Sequence, residues 1–441
     1  DRTFSYTALD AHTVQWVGTI GFLDPHYYLN FFTPLPRHQL SDYTMQELLE
    51  ADITNLTPMG WGPYILKKWK PGDGMVLERN PYYYRAEEGL PFFDHLYIKF
   101  TGQDTDKNLN YLAAGVCDVL VVDTTLDDQR ERLIELDRNG ELNLYVNLGT
   151  AWEHLDFGIN PVPEYTRPDF FEEPRTRQAL AYCINRQRIV DEVQYGLTLL
   201  LEAYISPLHP LYPLAELKAY PYDPETGMGL LEEVGWRDVD GDGLREAHGV
   251  AGVPDGTAFR VKYQTTTAQT RTLIANLITE DLAVCGVALE VIQMGAQDFF
   301  ADGPEGPVFG RQFDLVQFAW LTNVTPPCEL FLTQAIPGDP QALDMAGNPL
   351  FPDGWQGSNN SGYSSPSFDT ACQNALTVLP GTEAYERYHL EALRIFTQDL
   401  PVLPLYLRFG VWATRPDLVG PVDGGSFYPE TWNIEEWRLE P

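Results

Sequence analysis

Two strand–helix–strand patterns separated by a proline-dense crossing constrain this chain more than any other feature of its sequence. In the second pattern, 259–263 alternates as a strand and 270–285 carries a helical apolar period. Gly286 stops that helix, and 287–292 reads as a buried strand. The first pattern has a strand at 96–100, a helix at 104–114 stopped by Gly115, and a strand at 118–122. Strands joined by a helix pair in parallel within one sheet, so each pattern reads as a βαβ unit. Between them lie a helix over 175–195, opened by Pro174 and closed by Gly196, and then Pro207, Pro210, Pro213, Pro221 and Pro224. The expected architecture is therefore α/β with two lobes and a cleft between them. Residues 1–205, with 405–441 returning to them, form lobe I; residues 206–404 form lobe II.

The remaining punctuation fills in this frame. Strands are expected at 4–7 and 13–17, a short helix at 45–49 and a hairpin over 63–79 reversed at Lys70-Pro71-Gly72-Asp73-Gly74. A strand at 313–318 comes after the second pattern. Ser365-Pro366 opens a helix to about 378, Thr382 caps another to Asp399, and Pro401 to Tyr406 begins a return segment.

With 63 acidic against 29 basic residues the chain carries −34, which repels phosphate backbones and anionic lipid headgroups; nucleic acid is not an expected partner. No stretch approaches the roughly 20 apolar residues of a membrane span. Five cysteines show neither CxxC nor a zinc-ligand spacing, and their odd number leaves at least one thiol unpaired in a monomer. Cys183, Cys285 and Cys372 fall at core spacings, where cysteine serves as a small hydrophobe. The chain lacks a Gly-x-Ser-x-Gly elbow, a His-Glu-x-x-His pair, a P-loop and a dinucleotide fingerprint.

Gly60-Trp61-Gly62-Pro63-Tyr64, running through the hairpin to Asn80-Pro81-Tyr82-Tyr83, and Pro174 to Arg186 resemble segments of the oligopeptide- and dipeptide-binding proteins of ABC importers, solute-binding protein family 5. The resemblance continues through Leu112 to Asp118, His154 to Asn160, Leu230 to Trp236, Phe313 to Pro327, Ser361 to Asp369 and Pro401 to Tyr406. It implies a two-lobed, periplasmic-binding-protein-like (venus-flytrap) fold and a receptor, not an enzyme. Such a receptor is a monomer outside the cytoplasmic membrane, periplasmic or cell-surface, lipid-anchored or secreted. It closes on a small peptide or oligosaccharide and passes it to a membrane permease. Family members carry a long N-terminal stretch most of which precedes the start of this chain, so lobe I is expected to be incomplete, as in a truncated or proteolysed protein.

The resemblance also nominates site residues. Trp320 comes directly after strand 313–318, at the strand end that faces ligand in open α/β sheets. Peptide-binding members place an aspartate three residues after this tryptophan, against the peptide's ammonium; here the position is Asn323. An amide brings no full charge, which keeps sugars and capped peptides in view. Tyr363, Tyr406, Phe157, Asn160 and Tyr204 are further cleft candidates by the same alignment. Independently of the family, Asp238, Asp240, Asp242 and Glu246 stand at positions one, three, five and nine of a calcium-loop spacing with Gly243 at its turn. Position twelve is Gly249 and not the bidentate glutamate, so a structural calcium is the only cofactor expected. A secreted carbohydrate-active enzyme is the alternative of a different class, because a glycosidase carboxylate pair has no fixed spacing.

Overall fold

In the computed structural model, strands β1 (Thr3–Ala8), β2 (Val14–Gly18), β3 (Tyr64–Lys70), β4 (Gly74–Arg79) and β5 (His95–Lys99) come first. Helix α1 (Thr105–Ala113), β6 (Val119–Leu120), α2 (Arg130–Arg138), β7 (Asn143–Phe157), α3 (Pro174–Cys183) and α4 (Pro224–Val234) are next. Then come β8 (Arg260–Thr266), α5 (Gln269–Val284), β9 (Ala288–Met294), β10 (Leu315–Leu321), α6 (Pro366–Leu376), α7 (Glu383–Asp399) and β11 (Val402–Thr414). The structure describes every residue except 1, 22, 26, 32–33, 103, 123–125, 345, 423–427 and 441.

The chain divides into two units. The first comprises Asp1–Asn30 and Thr150–Arg408, the second Phe31–Gly149 and Phe409–Pro441. These borders differ from the expected 205/206 and 404/405. The residues on the two sides of the proline-rich crossing are tied together: Cys183 is bonded to Cys285, and Asn185 donates its backbone N–H to Asp281 at 2.8 Å. Arg186 donates to the carbonyls of Tyr220 and Pro404, each at 3.0 Å. Prolines mark irregular backbone, which is not the same as a place where few contacts cross. Hairpin 63–79 and strand 287–292 do fall in different units.

In the first unit the strands run in the order β9-β8-β10-β7-β11. β8 and β9 pair in parallel from Arg260↔Ala288 to Thr266↔Met294 with α5 between them, the βαβ unit expected there. β10 lies parallel to β8, and β7 closes antiparallel on it from Leu315↔Phe157 to Leu321↔Ala151. That ladder carries β10 three residues past the expected end at 318, so Trp320 lies within the strand. Helix α3 starts with Pro174 in its first turn but ends at Cys183, well short of 195. Asn185 breaks the run, its side chain accepting from the Arg188 N–H at 3.0 Å. Helices α3 and α4 approach closely at Gly227, where a Cβ would come 2.5 Å from Cys183 Sγ. Beneath them Trp236 stacks on Phe259 with centroids 3.9 Å apart, and Phe170 and Phe171 extend this aromatic core. The caps expected from the sequence are present: Thr382 accepts from Tyr385 N–H at 3.2 Å, and Ser365 caps α6.

Core spacing reads Cys183, Cys285 and Cys372 as buried small residues, and all three are fully buried. They are also bonded, Cys183 to Cys285 and Cys328 to Cys372, which leaves Cys117 as the free thiol.

In the second unit β3, β4 and β5 form an antiparallel sheet. β6 pairs elsewhere, with Ala413 and Thr414 of β11. The first strand–helix–strand pattern is therefore not a βαβ unit. β5 is claimed by β4, and the two-residue β6 is left to a strand that arrives almost 300 residues later in sequence. Tyr145 stacks on Trp412 at 4.2 Å, with Trp437 beyond, and Arg85 pairs with Glu435 and Glu436.

Candidate functional site

Glu153 lies in the buried C-terminal part of β7, beside Trp152, and is 1% exposed. A carboxylate taken out of water needs cations and donors around it. The sheet supplies them from successive strands: Tyr263 of β8 donates its hydroxyl to Gln317 of β10, and Gln317 donates its amide to Glu153 Oε2 at 3.3 Å. On the far side Arg408 of β11 donates through Nε to Glu153 Oε1 at 2.9 Å and through Nη2 to the same oxygen. Arg271, in the first turn of α5, brings Nη2 to Oε1 at 3.1 Å and anchors Nη1 on Thr266 Oγ1 at 3.0 Å. Burial by itself would raise the Glu153 carboxyl; the Arg271 and Arg408 guanidiniums outweigh it and hold the group below the usual carboxylate range. Glu153 is therefore an anion with two cations. The cluster lies towards the carboxyl ends of the parallel strands: Glu153 faces Ala319 near the end of β10, and Thr266 is the last residue of β8. Open α/β sheets take ligands at that end.

On the opposite face of β7, His154 and Asp156 form a fully buried pair with Nδ1 and Oδ1 2.6 Å apart, packed between Trp152 and Phe318. Burial raises Asp156, and His154 opposes the shift.

The residues nominated by the sequence differ in their surroundings. Trp320 is half-buried, opposite Trp152 in the ladder and 5.7 Å from the Phe318 ring; its Nε1 has no hydrogen-bond partner. Asn323 is exposed, and its Oδ1 accepts from the Val324 N–H at 2.8 Å. Asn160 is exposed in a left-handed conformation (φ 48°), its N–H donating to Asp169 and its carbonyl accepting from Arg311. Phe157 is fully buried against Phe171. Tyr204 is fully buried between Phe331 and Phe396, with its hydroxyl unpartnered. Tyr363 is buried and donates to Asp399 Oδ2 at 2.6 Å; Tyr406 is buried beside its bridge partner Leu200. Solvent thus reaches Trp320, Asn323 and Asn160, while the other four are packed into the unit.

Sequence reasoning does not single out Glu153, Arg271, Gln317 or Arg408. The one signal for them is the charge inside Ala151-Trp152-Glu153-His154-Leu155, a run that otherwise reads as a buried strand.

Asp238, Asp240 and Asp242 bring carboxylate oxygens within 4.8 Å of one another on an exposed loop. Their oxygens also accept backbone N–H groups of Gly241, Gly243, Asp242 and Leu244. Glu246 stands outside this trio and accepts from the Val239 N–H at 3.3 Å. Among the described residues, these three carboxylates form the group able to hold a hard cation.

Residues 2–340 match the family model for bacterial extracellular solute-binding proteins, family 5 middle. The chain is similar to the oligopeptide-binding protein AppA of Bacillus subtilis, 24% identical over 413 residues, 92% of this chain and 66% of that protein. It is 23% identical over 399 residues to di/tripeptide-binding protein 1 of Pseudomonas aeruginosa, 90% of this chain and 64% of that one. The chain thus spans just under two thirds of the length of these relatives. A solved periplasmic oligopeptide-binding protein of an ABC transporter from Thermotoga maritima matches with a TM-score of 0.68 at 20% identity, over 100% of this chain and 80% of that structure.

Proposed function

The chain belongs to the bacterial extracellular solute-binding proteins of family 5, with the α/β fold of the two-lobed periplasmic binding proteins, and on that premise we propose that it is a peptide-binding receptor of an ABC importer. The observation that carries the reading is the family match across residues 2–340, the greater part of the chain. Its role is to bind a solute without turnover and deliver it to a membrane permease from outside the cytoplasm. The two disulfides support that location, since such bonds persist in oxidising compartments. Among the described residues no helix is long and apolar enough to cross a membrane.

The ligand is a small peptide whose amino terminus is not read through a full charge at residue 323. Asn323 is an amide, and its oxygen already serves a neighbouring backbone N–H. In the same reading, a calcium ion in the loop at 238–246 braces that loop and takes no part in transport.

Calorimetry with defined tri- to pentapeptides, free and N-acetylated, and with oligosaccharides tests the reading. Saturable peptide binding with little discrimination between free and acetylated forms is the expected result. Oligosaccharide binding alone would move the receptor to a sugar ligand. Release of hydrolysed product would make it an enzyme.

A further inference from the structure

We propose that Arg408 is a specificity-determining residue that takes a carboxylate of the bound solute, with Glu153 holding its guanidinium in place. The inference rests on the peptide-receptor reading and adds the chemistry of one contact.

The charge count is the first argument. Glu153 needs one cation, and Arg271, itself buried at 8% side-chain exposure, provides it at 3.1 Å. Arg408 is then a second cation on the same carboxylate, so the cluster carries one net positive charge. No other acidic group pairs with Arg408 among the described residues. In a chain of net charge −34, a surplus guanidinium left on a carboxylate that is already paired is an arrangement suited to an incoming anion.

Geometry is the second. Arg408 spends Nε and Nη2 on Glu153, while Nη1 has no protein partner among the described residues and the side chain is 47% exposed. A guanidinium gripped by two of its nitrogens has already lost its rotamer freedom, so a carboxylate arriving at the free edge meets an ordered donor. Arg271 Nε is also buried without a partner, a further unsatisfied donor in the same cluster.

Position is the third. Arg271 opens the helix after β8, and Glu153 faces the last part of the ladder on β10, so the cluster marks the carboxyl ends of parallel strands, where this class of sheet receives ligand. If Arg408 merely neutralised Glu153, a carboxylate on the solute would be irrelevant to affinity.

The test is calorimetry of wild type, Arg408→Gln and Arg408→Lys with four peptide pools: C-terminus free or amidated, with or without Asp and Glu side chains. The Glu153–Arg271 pair stays neutral and intact in both variants, and denaturant unfolding checks their folding. Loss of one charge-assisted contact is expected to weaken wild-type binding about tenfold to a hundredfold on removal of the recognised carboxylate. Amidation sensitivity assigns that carboxylate to the chain end, and sensitivity to Asp and Glu content assigns it to a side chain. Arg408→Gln should lose the discrimination and Arg408→Lys should keep part of it. Equal wild-type affinity for all four pools, or discrimination undiminished in Arg408→Gln, overturns the inference and leaves the receptor reading standing. Failure of every pool to bind wild type overturns both. The wild-type comparison needs no variant to fold.

Discussion

Replacing Cys183 and Cys285 together by alanine should destabilise the first unit by about 4–5 kcal/mol. The bond joins residues 102 apart in sequence, and closing a loop of roughly 100 residues removes about 4.7 kcal/mol of chain entropy from the unfolded state. Both residues are fully buried, Cys183 at the tight approach of α3 to Gly227, so the lost sulfur packing adds to the cost. Urea unfolding followed by tryptophan fluorescence is the assay, with buried Trp236 as an internal reporter in this unit. For a slope of about 3 kcal/mol/M the midpoint should fall by about 1.6 M. Alkylation of the unfolded, unreduced wild-type protein should label one thiol, that of Cys117. Labelling of Cys183 or Cys285 would refute the bond. A variant midpoint within about 0.3 M of wild type would refute the loop-entropy argument even if the bond is present.

Glu153→Gln should cost about 3–5 kcal/mol by stranding Arg271 without its anion, and Glu153→Gln/Arg271→Met should recover much of that loss; equal stability of wild type and single variant in denaturant would overturn the argument. Because the folded Glu153 carboxyl lies below its usual range, its contribution is complete above about pH 4.3 and is lost as pH falls through the folded value. His389, buried with both ring nitrogens unpartnered, is pushed down to about 4 by burial and then by His209. An unfolded value near 6.5 means that the unfolded chain binds the proton more tightly, so up to about 3 kcal/mol is lost as pH falls from about 6.5 to 4. His389→Leu should flatten that part of the pH–stability curve, and an unchanged curve counts against it. Calcium at about five times its dissociation constant should stabilise the first unit by about 1 kcal/mol through the loop at 238–246, read as a rise in melting temperature that Asp240→Asn abolishes; no rise removes the ion. Trp320→Ala should weaken peptide binding by about 1–3 kcal/mol if the ring stacks on solute, and unchanged affinity with intact folding leaves the ring a packing role.

Local physics is legible in the chain itself. Pro174, Ser365 and Thr382 open helices where their side chains or rings suit a first turn, and Gly286 stops α5 where an L side chain would be strained and would meet Arg245 at 2.9 Å. The parallel pair around α5 comes from the same local rules, and the family comes from the order of the segments. Tertiary structure decided what depends on residues far apart in sequence. The unit borders fell where contacts thin out and not where prolines cluster, the cysteines were paired over 102 and 44 residues, and β6 was assigned to β11. The same holds for the charged cluster: Glu153 meets Arg271, Gln317 and Arg408 across separations of 118, 164 and 255 residues. Periodicity and capping act within a turn or two of helix, whereas the desolvation that makes Glu153 require a buried guanidinium partner, and the packing that brings Arg408 to the same carboxylate, exist only once the strands lie side by side.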